Sequence, residues 1–243
     1  MRPFVVTKIM QGVLPLLLVA CGANIFEAAE PDDPSTEAVL ALEKGRPNEA
    51  IRIAEEGLSD DPDDYKLWSI LASAYAQKAG VSPLDFALQL ATEQSSQSGG
   101  GITSTFGALP DATAVNVEAM TRAVACLEAI PADARHEADT FKLSMFYTAK
   151  MGLLAKQFSD TVNGNFSAEN LQNLTPEQAI EILDSLGGAA AAVAALDTSG
   201  DANSSKAASQ ISAIQAKIDE QPGADQTEKL RNYLATQSSS SSN

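Results

Sequence analysis

An all-α fold built from repeated pairs of helices is predicted by three observations on this 243-residue sequence. Apolar residues make up 44% of it while aromatics are only 5%. Alanine fills much of that apolar share, which suits closely packed helices better than a sheet of β-branched and aromatic side chains. Apolar residues recur three and four apart over most of the chain, the period of one face of a helix. A helix–turn–helix stretch from Glu49 to Gly80 also returns farther along. The length allows one large domain or two small ones, with ample residues for a buried core.

The first 20 residues read as an address. Arg2 and Lys8 lead into an apolar run from Ile9 to Ala20, interrupted by Gln11, Gly12 and Pro15. A membrane-spanning helix needs roughly 20 apolar residues, so this run is too short and fits a secretory signal peptide over residues 1–20. Its end, Leu18-Val19-Ala20-Cys21-Gly22, resembles the lipobox of bacterial lipoproteins. That resemblance implies a diacylglyceryl group on the Cys21 thiol, cleavage before Cys21, and acylation of the new amino group with a fatty acid such as palmitate. The lipid bilayer is then a partner through Cys21. One acyl chain holds only marginally, whereas two or more hold stably at ~0.8 kcal/mol per buried methylene. Gly22 stands where an Asp would favour the inner membrane, so the resemblance implies an outer-membrane anchor facing the periplasm. Residues 21–34, with Pro31, Asp32, Asp33 and Pro34 near the end, read as the lipidated N-terminus and its tether. With Cys21 lipidated, Cys126 is left alone and no intramolecular disulfide is expected. Cys126 falls on the apolar side of a predicted helix, as a small core residue rather than a nucleophile.

The formal charge is −16, and near −18 once Arg2 and Lys8 leave with the signal peptide. Such a surface repels phosphate backbones and anionic membrane faces, so a nucleic-acid partner is not expected. Solubility is the plain reading of the acidity; a basic partner is the functional one.

From residue 35 helices follow one another. Ser35 or Thr36 caps a short helix through Lys44 with Val39, Leu40 and Leu42 on one side, ended by Gly45. Pro47 suits the first turn of a second helix carrying Ala50, Ile51, Ala54 and Leu58. Asp60 to Asp64, with Pro62, breaks it. A third helix, from about Asp63 to Gly80, carries Leu67, Trp68, Leu71, Ala72 and Tyr75 as its buried stripe. Ser82 and Pro83 start another, with Leu84, Phe86, Ala87, Leu88 and Leu90. Loop 95–111 follows and contains Gly99-Gly100-Gly101. Ile102, Phe106 and Leu109 make it less polar than a plain linker, so it either folds back on the helices or borders a ligand site. Thr113–Ile130 and Glu137–Gln157 are predicted helices. Phe158 to Leu174 reads as an irregular connection, with a turn at Asn163-Gly164. Thr175-Pro176-Glu177 opens a helix in which Gly187-Gly188 either makes a break or permits close contact. After a turn from Asp197 to Ser205, helices are expected at Ala207–Ile218 and Gln226–Ala235. Residues 238–243 read as a disordered tail.

Self-comparison supplies the organising observation. Glu49-Ala50-Ile51-Arg52-Ile53-Ala54 through Leu58 to Pro62 matches, 69 residues later, Glu118-Ala119-Met120-Thr121-Arg122-Ala123 through Leu127 to Pro131. Leu71 to Gly80 matches Leu143 to Gly152 at an offset of 72, with Leu, Tyr, Lys and Gly coinciding. Gly45, Ala50, Leu58, Pro62, Trp68, Leu71, Ala72 and Tyr75 together resemble the tetratricopeptide repeat, whose period of about 34 residues is half these offsets. The second copy departs from the family's pattern at Thr140, where Trp68 stands in the first. The resemblance implies a right-handed α-solenoid of antiparallel helix hairpins, irregular because of the Gly/Ser loop. Residues 35–158 would be the repeat domain and 159–237 the C-terminal helices, with Trp68 and Tyr75 in the core. It also implies a partner-binding groove along the first helix of each pair. On this sequence the groove maps to Lys66, Ser69, Ser73, Ala76 and Gln77, then Ala138, Phe141, Met145, Thr148 and Ala149. These small or amphipathic residues suit a peptide better than a charged metabolite.

Catalytic and metal signatures are weak. His136 is the single histidine, so a two-histidine zinc helix is excluded, and no Gly-x-Ser-x-Gly elbow accompanies it. The glycine run lacks the Gly-Lys-Ser/Thr of a phosphate loop, and Asp197, Asp201 and Asn203 lack the glycine and terminal glutamate of a calcium loop. No cofactor, no metal and no enzymatic activity are expected. The reading is an anchored periplasmic scaffold or adaptor that binds peptide segments of an unidentified envelope protein. The alternative is a small-molecule-binding accessory of a periplasmic solute transporter, marked by an enclosed apolar pore instead of an open groove.

Overall fold

Capping chemistry sets most of the helix starts in the computed structural model, which describes the backbone of residues 33–82, 109–159, 166–197 and 202–240. Among these residues there are nine helices and no strand, beyond one isolated antiparallel bridge between Ser159 and Phe166. They are α1 (Pro34–Glu43), α2 (Pro47–Asp60), α3 (Tyr65–Lys78), α4 (Ala114–Glu128), α5 (Glu137–Lys156), α6 (Ala168–Gln172), α7 (Pro176–Asp197), α8 (Ala202–Asp219) and α9 (Gln226–Ser240). The expected all-α class is therefore what the chain adopts. It divides into two units, Met1–Asp33 and Pro34–Asn243, and these nine helices belong to the second.

Asp64 accepts a hydrogen bond from the Leu67 amide at 3.0 Å at the start of α3, and Thr113 accepts one from Asn116 at 3.2 Å at the start of α4. Each satisfies an amide that the helix leaves without an internal partner. Ahead of α7 the arrangement is reciprocal. The Gln178 amide donates to the Thr175 hydroxyl at 3.3 Å, and the Thr175 amide donates to the Gln178 side chain at 3.0 Å. Glu177 in that first turn is held below the usual carboxylate range by its own backbone amide and by Thr175. Pro47 sits in the first turn of α2. Gly45 and Gly80, at φ of +69° and +79°, close α1 and α3 in the left-handed conformation.

Packing follows chain order. α1 packs on α2 and α3, α2 on α3, α3 on α4, and α4 on α5. The most extensive contact joins α5 to α7, with α8 and α9 against α7 and α6 against α9. The core runs through these helices without a gap and includes the fully buried Leu67, Met120, Leu127, Ile130, Phe146, Leu153 and Leu230.

Several expectations need correcting. α1 buries Ser35, Ala38 and Ala41 and leaves Val39 and Leu40 exposed at 37% and 46%. Small residues let α1 approach its neighbours, so the buried face is the small one and not the bulky one. α7 runs unbroken through Gly187-Gly188. A Cβ at Gly188 would lie 2.4 Å from Cζ of Tyr147, so this glycine serves close contact between α5 and α7. Pro176–Leu196 has the length and hydropathy of a membrane span, and 44% of that window is buried among the other helices. α6 occupies part of the connection expected to be irregular. α8 begins at Ala202, inside the expected turn, and α9 continues to Ser240, into the tail expected to be disordered.

The lipobox with Cys21, the helix expected after Ser82, and the Asn163-Gly164 turn lie outside the described residues. Of loop 95–111 only Leu109 to Asp111 are described. Leu109 is buried, and its carbonyl and that of Pro110 accept bonds from Lys156 Nζ at 2.7 and 3.2 Å, so this end of the loop folds back on α5.

Candidate functional site

An open cleft of about 450 Å³ lies between α2, α3 and α4. α3 supplies its floor with Trp68, Leu71 and Tyr75. One wall is Glu55, Leu58 and Ser59 of α2, and the other is Arg122, Ala125 and Cys126 of α4 with Ala129 just past its end. Helical spacing puts these residues together: 68, 71 and 75 are three and four apart on α3, as are 122, 125 and 126 on α4 with 129 at its C-cap.

Trp68, expected in the core, is only partly buried. Its indole Nε1 donates to the Pro62 carbonyl at 2.9 Å, which pins the ring edge to the turn and leaves the ring as cleft floor. Tyr75 is 5% exposed and lies at the bottom. Its hydroxyl donates to Glu55 Oε1 at 2.7 Å, and Arg122 Nη1 donates to that hydroxyl at 3.4 Å. The Arg122 guanidinium also stands 5.7 Å from the Tyr75 ring centre, and Lys78 Nζ stands 6.0 Å from it. Arg122 Nε is paired with Glu118 at 2.8 Å. Burial, then the bond to Glu55, pushes the Tyr75 phenol above its ordinary value. Burial, with a smaller contribution from Glu55, pushes the Cys126 thiol up to about 12. That thiol is protonated at neutral pH and is a poor nucleophile.

The residues mapped to a groove are divided by the structure. Lys66, Gln77, Ala138 and Phe141 are exposed, the last at 48%. Ser73 and Thr148 are partly buried, and their hydroxyls donate to the backbone carbonyls of Ser69 and Ser144. Ala76, Met145 and Ala149 are buried in the core, contrary to the expectation that they border an open groove. Ser69 is used internally. It donates to Asp139 Oδ1 at 2.5 Å and accepts from Lys142 Nζ, which itself stands 3.3 Å from Asp139. This half-buried bridge joins α3 to α5 along the line where the groove was placed. His136 stands exposed just before α5 and makes no side-chain capping bond.

Of the cleft walls, the sequence marks only Leu58 and Cys126, each as part of an apolar helix face and neither as the border of a cleft. Their convergence depends on how α2 and α4 are set against α3. The chain matches no protein-family model, no curated protein and no solved structure at the thresholds of significance.

Proposed function

We propose that this chain is a non-enzymatic, lipid-anchored periplasmic lipoprotein with a degenerate tetratricopeptide-like solenoid, acting as an adaptor that binds peptide segments of an envelope protein. The observation that carries the binding reading is the open cleft floored by Trp68, Leu71 and Tyr75. Aromatic side chains with one apolar body and one polar tip are what peptide-binding surfaces favour. The solenoid reading is supported by consecutive helices from α1 through α5 packing on one another, with α1 reaching α3 and Ser69 of α3 bonded to Asp139 of α5. The anchor reading rests on the Leu18 to Gly22 motif, and the outer-membrane placement on Gly22.

Two measurements test this. Cys21→Ser should move the protein from the membrane fraction to the soluble one; retention in the membrane would remove the lipoprotein reading. A photo-crosslinking residue in place of Ala129, on the cleft wall, should join the protein to one envelope polypeptide in intact cells, while the same residue in place of Ala213 on α8 should not. Recovery of a small solute from the cleft, with no polypeptide crosslinked, would favour the transporter-accessory alternative.

A further inference from the structure

We propose that the cleft receives a helix of the partner, laid between α2 and α4 with an uncharged, apolar stripe facing Trp68 and Leu71. This rests on the peptide-binding reading and adds the conformation and polarity of the bound segment. The charges at the cleft cancel. Glu55 and Arg122 are the one acid and the one base that line it, and both are bonded to the Tyr75 hydroxyl. Next to them Glu118 pairs with Arg122 at 2.8 Å, and Lys78 Nζ stands 6.0 Å from the Tyr75 ring. Other polar groups of the lining are also engaged within the protein. The Ser59 hydroxyl donates to the Glu55 carbonyl at 2.9 Å, and the Trp68 indole donates to the Pro62 carbonyl at 2.9 Å. What is left for an occupant is apolar: Leu58, Leu71, the Trp68 ring, Ala125 and Ala129. A charged side chain entering here would shed water against groups that already have partners, at a net cost. The same argument applies to main-chain groups. Only helices border the cleft, so no strand edge is offered to an extended segment, and its bare N–H and C=O groups would be buried unpaired. A helix bonds its own main chain and presents side chains alone. The α4 wall gives such a helix room, because Ala125 and Ala129 are small, exposed and one helical turn apart. The second copy carries the same solution within the chain. Beside Tyr147, the counterpart of Tyr75, lies the apolar helix α7, admitted by Gly188.

The test uses the full-length chain and capped peptides without tryptophan. The parent peptide is Glu-Ala-Leu-Ala-Lys-Leu-Leu-Ala-Glu-Leu-Ala-Ala-Lys-Leu, which has no net charge and, as a helix, gathers its leucines on one face. A first variant has proline in place of the alanine before the second glutamate, which breaks the helix and keeps every leucine. Two more carry lysine or glutamate in place of the two adjacent leucines. Trp68 is the single tryptophan, so its emission reports occupancy of the cleft directly. The parent peptide should bind with an affinity that does not change with salt. The proline, lysine and glutamate forms should each bind at least about tenfold more weakly. Ala125→Glu puts charge and bulk on the cleft wall and should weaken the parent peptide to the same degree, whereas Ala213→Glu, on α8, should not. Equal binding of the proline form would overturn the helical occupant, and equal binding of either charged form would overturn the uncharged stripe; both outcomes leave the peptide cleft standing. No loss from Ala125→Glu, or an equal loss from Ala213→Glu, would overturn the placement of the helix in this cleft. An emission that responds to none of the peptides would remove the peptide cleft and this proposal together.

Discussion

Tyr75 and Tyr147 hold the same place in two copies of one motif and meet different neighbours. Each donates its hydroxyl to a glutamate of the preceding helix, Glu55 on α2 for Tyr75 and Glu128 on α4 for Tyr147. Beyond that bond the two copies part. The hydroxyl end of the Tyr147 ring lies against Gly188 of α7, closer than any side chain would allow. Tyr75 instead meets Arg122 of α4, and the space above it remains the cleft. The neighbouring positions differ in the same sense, since Ala74 and Phe146 are both fully buried at equivalent places. A repeat's spacing determines where its tyrosine stands. The residue on the following helix determines whether the space beside that tyrosine is filled.

This contrast can be broken most forcefully at Phe146. Phe146→Ala should destabilise the fold by about 3–5 kcal/mol in urea unfolding, because it leaves a large void where the first copy is built around alanine. A loss below about 1 kcal/mol would mean that the second copy packs as loosely as the first. Gly188→Ala comes next. The ring of Tyr147 would have to swing away from Glu128 to admit the methyl, at a cost of about 1–3 kcal/mol. Gly187→Ala is its control. Nothing lies within 4 Å of a Cβ at Gly187, so alanine there should stabilise α7 by up to about 1 kcal/mol. If both substitutions stabilise, the close contact between α5 and α7 is not what fills the second copy.

The smallest effect is expected in the alkaline titration of the two tyrosines. Burial, then the bond to Glu128, pushes the Tyr147 phenol far above its ordinary value, farther than Tyr75 is pushed. A folded value above the unfolded one, about 10, means the neutral phenol is favoured by folding. Its contribution to stability is complete below pH of about 10 and is lost as pH rises through the folded value. Absorbance titrations of Tyr75→Phe and Tyr147→Phe, subtracted from that of the parent chain, should show Tyr75 ionising first. The reverse order would place the better-shielded ring in the first copy.

Much of this helical order is legible in the sequence. Pro47, Thr113 and Thr175 each announce a helix start through a local rule that needs no tertiary context, and Gly45 and Gly80 announce ends in the same way. The recurrence from Glu49 to Gly80 is visible because both copies keep their spacing. α1 was misread because its buried face is Ser35, Ala38 and Ala41, residues that carry little hydrophobic signal and are buried for their size. The cleft was missed for another reason. Glu55, Trp68 and Arg122 lie on three helices, and their meeting depends on interhelical angles that periodicity does not encode. The Ser69–Asp139–Lys142 bridge spans 70 residues or more and left no trace in any local pattern. Ala76 and Met145 were assigned to a groove by register alone, and the packing of neighbouring helices turned them inward.

The bridge has a mechanical consequence. At about 100° per residue, Ser69 and the Trp68, Leu71 and Tyr75 stripe lie on roughly opposite sides of α3. One side of this helix is joined to α5 through a half-buried, charged clasp, while the other borders the cleft. The clasp therefore ties the cleft's floor helix to the second copy from behind, without occupying the cleft itself.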